Sequence, residues 1–117
     1  MSTNKATVEK FIDGFNKSDH VQILSCLTDD VEWLMPGGFH LFGKEEFDGE
    51  IENPAFVGMP KVKITRMTEE NNIVCAEGSV EAQFKAGGPL HAVFCDVFEM
   101  ENGLVKKLVG YLVHLPE

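Results

Sequence analysis

Apolar positions recur at two periods along this chain, and the change of period divides it. Val8, Phe11, Ile12 and Phe15 fall at the three-and-four spacing of one helical face, which predicts an amphipathic helix over residues 4–17. Ser18 and Asp19 interrupt it. Asp19 with Gln22 three positions on is a capping-box pattern, and Val21, Leu24 and Leu27 continue as a short second helix closed by Asp29-Asp30. Val31–Met35 alternates as a brief strand that Pro36-Gly37-Gly38 breaks. A turn-rich link through His40 and Gly43 leads to a third helix over Lys44–Ile51, weakened by Gly49, and Asn53–Pro60 reads as loop. The remainder has strand character: Lys61–Glu69, Ile73–Phe84, Leu90–Met100 and Leu104–Leu115 are rich in β-branched and aromatic residues. Their links, Glu70-Asn71-Asn72, Lys85–Pro89 and Glu101-Asn102-Gly103, are turn sequences short enough to require antiparallel pairing. Helices first and strands afterwards is an α+β order, with helices packed on one face of a curved sheet.

Length and charge narrow the function classes. The 117 residues fit a single domain, 1–117, and the 44% hydrophobic and 25% charged content is that of a soluble globular chain. No apolar run approaches the roughly 20 residues a membrane-spanning helix needs, and the polar start lacks a signal-peptide pattern, so a cytoplasmic location is expected. Ten basic against 19 acidic residues give a net charge of −9, which repels phosphate backbones and anionic lipid; neither nucleic acid nor membrane is expected as a partner. Cys26, Cys75 and Cys95 lie far apart in apolar context without CxxC or HxxxH spacing, so they read as reduced core thiols, with no metal and no cofactor expected.

The residue that asks for chemistry is Asp96, set in His91-Ala92-Val93-Phe94-Cys95-Asp96-Val97-Phe98. A carboxyl in such a run must be paired, hydrogen-bonded or kept protonated, and the last state lets it exchange a proton near neutral pH. It is either tied to neighbouring backbone or a helix end, or it faces a pocket together with Phe94 and Phe98, two residues to either side. Its neighbours on the last strand depend on one turn. A two-residue Asn102-Gly103 turn sets Val109, Tyr111 and Val113 beside it, whereas a three-residue turn with Gly103 left-handed sets Leu108, Gly110, Leu112 and His114 there. Trp33 and Met35 share a strand face, and Phe11 and Phe15 form a helical stripe; each pair serves a core or a pocket wall. Glu77, Glu81 and Gln83 alternate with apolar residues as a solvated or interface face. His20 and His91 read as solvated, while His40, among Gly38, Phe39 and Gly43, is either an exposed loop residue or part of a loop over a cavity mouth.

The element order, Leu27-Thr28-Asp29-Asp30-Val31-Glu32-Trp33, the Pro36-Gly37 break, Gly43-Lys44-Glu45-Glu46-Phe47 and the closing Phe98-x-Met100-x-x-Gly103-x-Val105 hairpin resemble the nuclear transport factor 2-like superfamily, in its SnoaL-like branch with polyketide cyclases and relatives of ketosteroid isomerase. The resemblance implies a cone: N-terminal helices packed on a strongly curved, mainly antiparallel sheet that encloses an apolar pocket, with the outer sheet face mating to a second copy. It assigns pocket positions to Leu108, Gly110 and Leu112, which favours the three-residue turn and makes His114 the preferred proton-transfer partner of Asp96. In isomerase-type members a Tyr, an Asp before the proline break and a second Asp form the polar site. Here Phe11 stands at the Tyr position and Met35 at the base, and only Asp96 is kept. Neither replacement donates or takes a proton, so steroid-type isomerisation by the usual set is not expected.

The resulting expectation is a small cone-fold protein whose apolar pocket serves an isomerase, cyclase or lyase acting on a hydrophobic carbonyl compound. Asp96 is the proton shuttle or hydrogen-bond donor, His114 and His40 are its candidate partners, and Phe11, Phe15, Trp33, Met35, Phe94, Phe98, Leu108 and Leu112 line the ligand site. The alternatives are a non-catalytic binder of a small apolar metabolite and a protein-interaction dimer. An epoxide hydrolase-like site needs an acid, a base and an arginine together, and Arg66 is the only arginine in the sequence.

Overall fold

The computed structural model describes residues 2–52, 56–58 and 60–116. Helix α1 (Thr3–Lys17) starts where the Ser2 side chain accepts the Lys5 N–H and stops at Ser18, which turns left-handed at φ 53°. Its apolar stripe is buried as the spacing requires: Val8, Phe11 and Ile12 face the core. Helix α2 (His20–Ser25) is capped by Asp19, whose carboxylate accepts the Gln22 N–H. It ends earlier than expected, because Leu27 opens strand β1 (Leu27–Met35), and Asp29 and Asp30 lie exposed in that strand. The link after Pro36 also differs. Phe39–Phe42 forms a short strand β2 that pairs back on β1, before helix α3 (Gly43–Gly49). Strands β3 (Lys61–Glu70), β4 (Ile73–Gln83), β5 (Pro89–Glu101) and β6 (Leu104–His114) follow the expected boundaries within one residue, and Asn53–Pro60 is the segment expected as loop before them. Of that segment, residues 53–55 and 59 lie outside the described residues, and Phe56 bridges to Phe84.

The six strands form one sheet in the order β2-β1-β6-β5-β4-β3, antiparallel except where β1 runs parallel to β6. Strand pairing across β6 brings the early strand β1 beside the late hairpin, so Trp33 stands next to Leu108, 75 positions further on, and Leu34 next to Val109. The concave face carries Val74, Ala76, Phe94, Phe98, Met100 and Leu108, with α1 packed over β3, β4 and β6 and α3 over β1 and β2. Phe11, Phe47 and Phe98 are almost wholly buried in one edge-to-face cluster, with Phe11 5.8 Å from Phe47 and 5.6 Å from Phe98 between ring centres. Burial of such side chains contributes about 1.5–3 kcal/mol each.

The sheet bends at irregularities that strand alternation does not announce. In β3, Ile64 pairs with Gly78 but Arg66 pairs with Glu77, leaving Thr65 as the extra residue. A Cβ on Gly78 would stand 2.0 Å from the Lys63 carbonyl oxygen, so only glycine permits this close approach. In the last hairpin Met100 pairs with Val105 and Glu99 with Lys107, leaving Lys106 as the extra residue.

Candidate functional site

That second bulge decides what Asp96 faces. Glu101 pairs with Leu104, and Asn102 and Gly103 both have positive φ, 52° and 79°, so the turn has two residues rather than the expected three. Without the bulge this turn would bring Val109 opposite Asp96. The extra residue at Lys106 shifts the register by one, and Asp96 pairs with Gly110, Phe98 with Leu108 and Phe94 with Leu112. The expected face is therefore present, produced by a different device.

Between α1 and the concave face lies a cavity of about 140 Å³, lined by Phe11, Ile12 and Phe15 of α1, Trp33 and Met35 of β1, Val62 of β3, Val80 of β4, Phe94 and Asp96 of β5, and Leu108 and Leu112 of β6. A space on the order of 150 Å³ admits one benzene-sized ring. Leu112 stands at the rim, 38% exposed, while Leu108 is buried. Phe11 meets Phe15 at 5.0 Å and 64°, and Phe15 meets Trp33 at 6.1 Å and 78°, so three rings wall one side at steep angles to each other. Phe47 of α3 stacks on Trp33 at 4.4 Å and fixes it from behind. The Trp33 indole N–H is buried without a hydrogen-bond partner among the described residues.

Asp96 supplies the one carboxyl of this wall. No hydrogen bond or ion pair among the described residues engages it, and burial alone pushes its pKa from 3.8 up to about 7. Gly110 makes room for it: a Cβ there would lie 3.1 Å from Asp96 Oδ1 and 2.6 Å from Met35 Sδ. The thioether and the carboxyl thus share the space that a side chain on β6 would fill.

Several expected site residues stand elsewhere. His114 pairs with Ala92 at the exposed end of β6, four residues beyond Gly110 and so roughly 13 Å along the strand from the point opposite Asp96. His40 lies on β2 opposite Leu34, on the outer face, with Nε2 2.5 Å from Glu32 Oε2. Neither histidine lines the cavity, because strand alternation or distance carries it away. Phe98 is fully buried behind Phe11 instead of exposed to the cavity. Ile12, Val62 and Val80 also belong to the wall. Ile12 was legible in the helical stripe, and Val62 and Val80 meet only through the β3–β4 register. Arg66 points outward and its guanidinium is held by Glu77, so the arginine-containing hydrolase arrangement is not assembled at Asp96. His20 is not merely solvated: its ring nitrogens meet Asp48 at 2.6 Å and Glu52 at 2.8 Å, which raises its pKa and ties α2 to α3. Among the described residues no three His, Cys, Asp or Glu side chains group as metal ligands would.

The model of the SnoaL-like domain matches residues 8–108. The chain belongs to the SnoaL-like domain family. Its cone is that of the nuclear transport factor 2-like superfamily, and solved structures share it over nearly the whole length. An NTF2-like protein of unknown function from Burkholderia pseudomallei superposes with a TM-score of 0.88 at 20% identity, over 97% of this chain and 92% of that one. A LEH-like epoxide hydrolase from M. tuberculosis gives 0.82 at 18% identity, over 95% and 83%. A candidate ketosteroid isomerase from Kribbella flavida gives 0.79 at 16% identity, over 98% and 81%. No protein of curated function matches the sequence. At these identities the SnoaL-like fold is shared and the chemistry is not transferred, since one cone serves unrelated reactions.

Proposed function

We propose that the cavity takes one small, mainly apolar carbonyl compound and that Asp96 acts on it as hydrogen-bond donor or proton shuttle, in an isomerase-, cyclase- or lyase-type reaction. The observation that carries this reading is a single unpaired carboxyl in an otherwise apolar wall, with its pKa pushed up to about 7. Below that pH the carboxylic acid donates a hydrogen bond to a carbonyl oxygen and stabilises the enolate left when a base from the solvent takes an adjacent C–H proton. Near neutrality both protonation states are populated, so the same group takes a proton and returns it. Phe11 and Met35 contribute shape and exclude water. The family's range, which includes isomerases and hydrolases among its structural neighbours, supports the class and not a substrate.

The test is α-carbon hydrogen–deuterium exchange of single-ring ketones and enones, followed by NMR. Wild-type protein is expected to catalyse exchange, and Asp96→Asn to lose about 10²-fold or more. Unchanged exchange in the variant would overturn the assignment. The second reading is sequestration without turnover, favoured by the absence of another titratable group among the lining residues. Binding of these compounds without any exchange selects it.

We further propose a homodimer formed through the outer sheet face. Val93 pairs with Val113, Cys95 with Tyr111 and Val97 with Val109 on that face, and Val93, Tyr111 and Val113 are 40%, 51% and 59% exposed. A cluster of this kind on a sheet is a usual site of association.

A further inference from the structure

We propose that the cavity takes a second class of ligand, a compact alkylated ammonium ion held against the Asp96 carboxylate within its aromatic wall. The inference rests on the cavity being the binding site, and not on acid chemistry at Asp96. Four of the eleven lining residues are aromatic, Phe11, Phe15, Trp33 and Phe94, one is a carboxylate, and none is cationic. That set matches an alkylammonium ion: ring faces attract the diffuse charge, a carboxylate neutralises it, and methyl groups occupy apolar space at little desolvation cost. Phe11, Phe15 and Trp33 stand at 64° and 78° to one another, the arrangement that lets several rings enclose one rounded ion. The cavity volume of about 140 Å³ limits the guest to a compact one.

Charge selection follows from the surroundings of the carboxyl. Its strand neighbours are Ala76 on β4 and Gly110 on β6, Met35 of β1 fills the space over Gly110, and the rest of the cavity wall is apolar, so none of the groups around it titrates. Arg66 and Glu77 are paired with each other on the outer face, and Cys95, beside Asp96 on its own strand, also points outward. Among the described residues no cationic side chain competes with a ligand cation for the carboxylate, and none would pair with an anion. Burial favours the protonated acid, so a bound cation shifts Asp96 toward its ionised form and releases a proton below neutral pH.

The test uses tetramethylammonium, whose charge is fixed at every pH, beside tert-butanol as a neutral probe of similar shape, each titrated by NMR. Tetramethylammonium is expected to bind about 30-fold more tightly at pH 8.5 than at pH 5.5, following the ionised fraction of Asp96. Asp96→Asn is expected to lose at least tenfold at pH 8.5. Tert-butanol binding is expected to survive the substitution, which shows that the variant's cavity is intact. Tetramethylammonium binding that ignores both pH and the substitution overturns the proposal, as does tert-butanol binding with none of the cation. If neither probe perturbs the resonances of the lining residues, the cavity itself is not a binding site, and the proposed function fails together with this inference.

Discussion

Asp96 stores free energy in its protonation state. In the unfolded chain its pKa returns to about 3.8, whereas in the folded protein it stands near 7. As pH rises from 4 to 7 the unfolded chain sheds this proton first, so stability falls across that window and is level above it. Asparagine mimics the neutral acid and has no such dependence. The stability difference between Asp96→Asn and wild type is therefore expected to grow in the variant's favour from pH 4.5 to pH 8, on the order of a few kcal/mol, by urea denaturation. A constant difference would show that the carboxyl is as well solvated in the fold as outside it. That Asp96 needed an explanation was legible from its apolar neighbours. That His114 and His40 do not supply one was not, because their distance and facing depend on strand ends and on a second pairing, β1 with β2.

Among the elements, long periodic runs were the legible ones. α1 and the four late strands follow the sequence pattern closely, since each buries a face set by its own period. Short elements escaped it: β2 has only four residues, and Leu27 satisfies a helix and a strand pattern equally well until β6 pairs beside it. The curvature that opens the cavity comes from glycine and bulges. Gly78→Ala is expected to cost about 1–3 kcal/mol, because its Cβ meets the Lys63 backbone, which cannot swing aside as a side chain would. Gly49→Ala, with nothing within 4 Å, is the matched control and is expected to be neutral or stabilising in the same denaturation measurement.

For the whole molecule, the outer sheet face sets apolar contact against a net charge of −9 on each chain. Association through Val93, Tyr111 and Val113 is accordingly expected to strengthen with ionic strength, as repulsion between two acidic copies is screened. Val113→Asp places a further negative charge on that patch and is expected to give monomers in sedimentation velocity at micromolar concentration, whereas wild type is expected to sediment as the proposed dimer. A monomeric wild type in high salt would remove the dimer proposal without touching the cavity.

The helix-then-strand order, the apolar face of α1, the antiparallel meander and the oddity of Asp96 could all be read along the chain. These are local consequences of side-chain period and turn chemistry. Which residues meet Asp96 follows instead from how the strands pair. A two-residue turn and one extra residue at Lys106 together select the strand face, and a parallel pairing brings Met35 and Trp33 from far along the chain. Register is a long-range property: a single inserted residue exchanges every inward side chain for an outward one, and no periodicity within one strand records it.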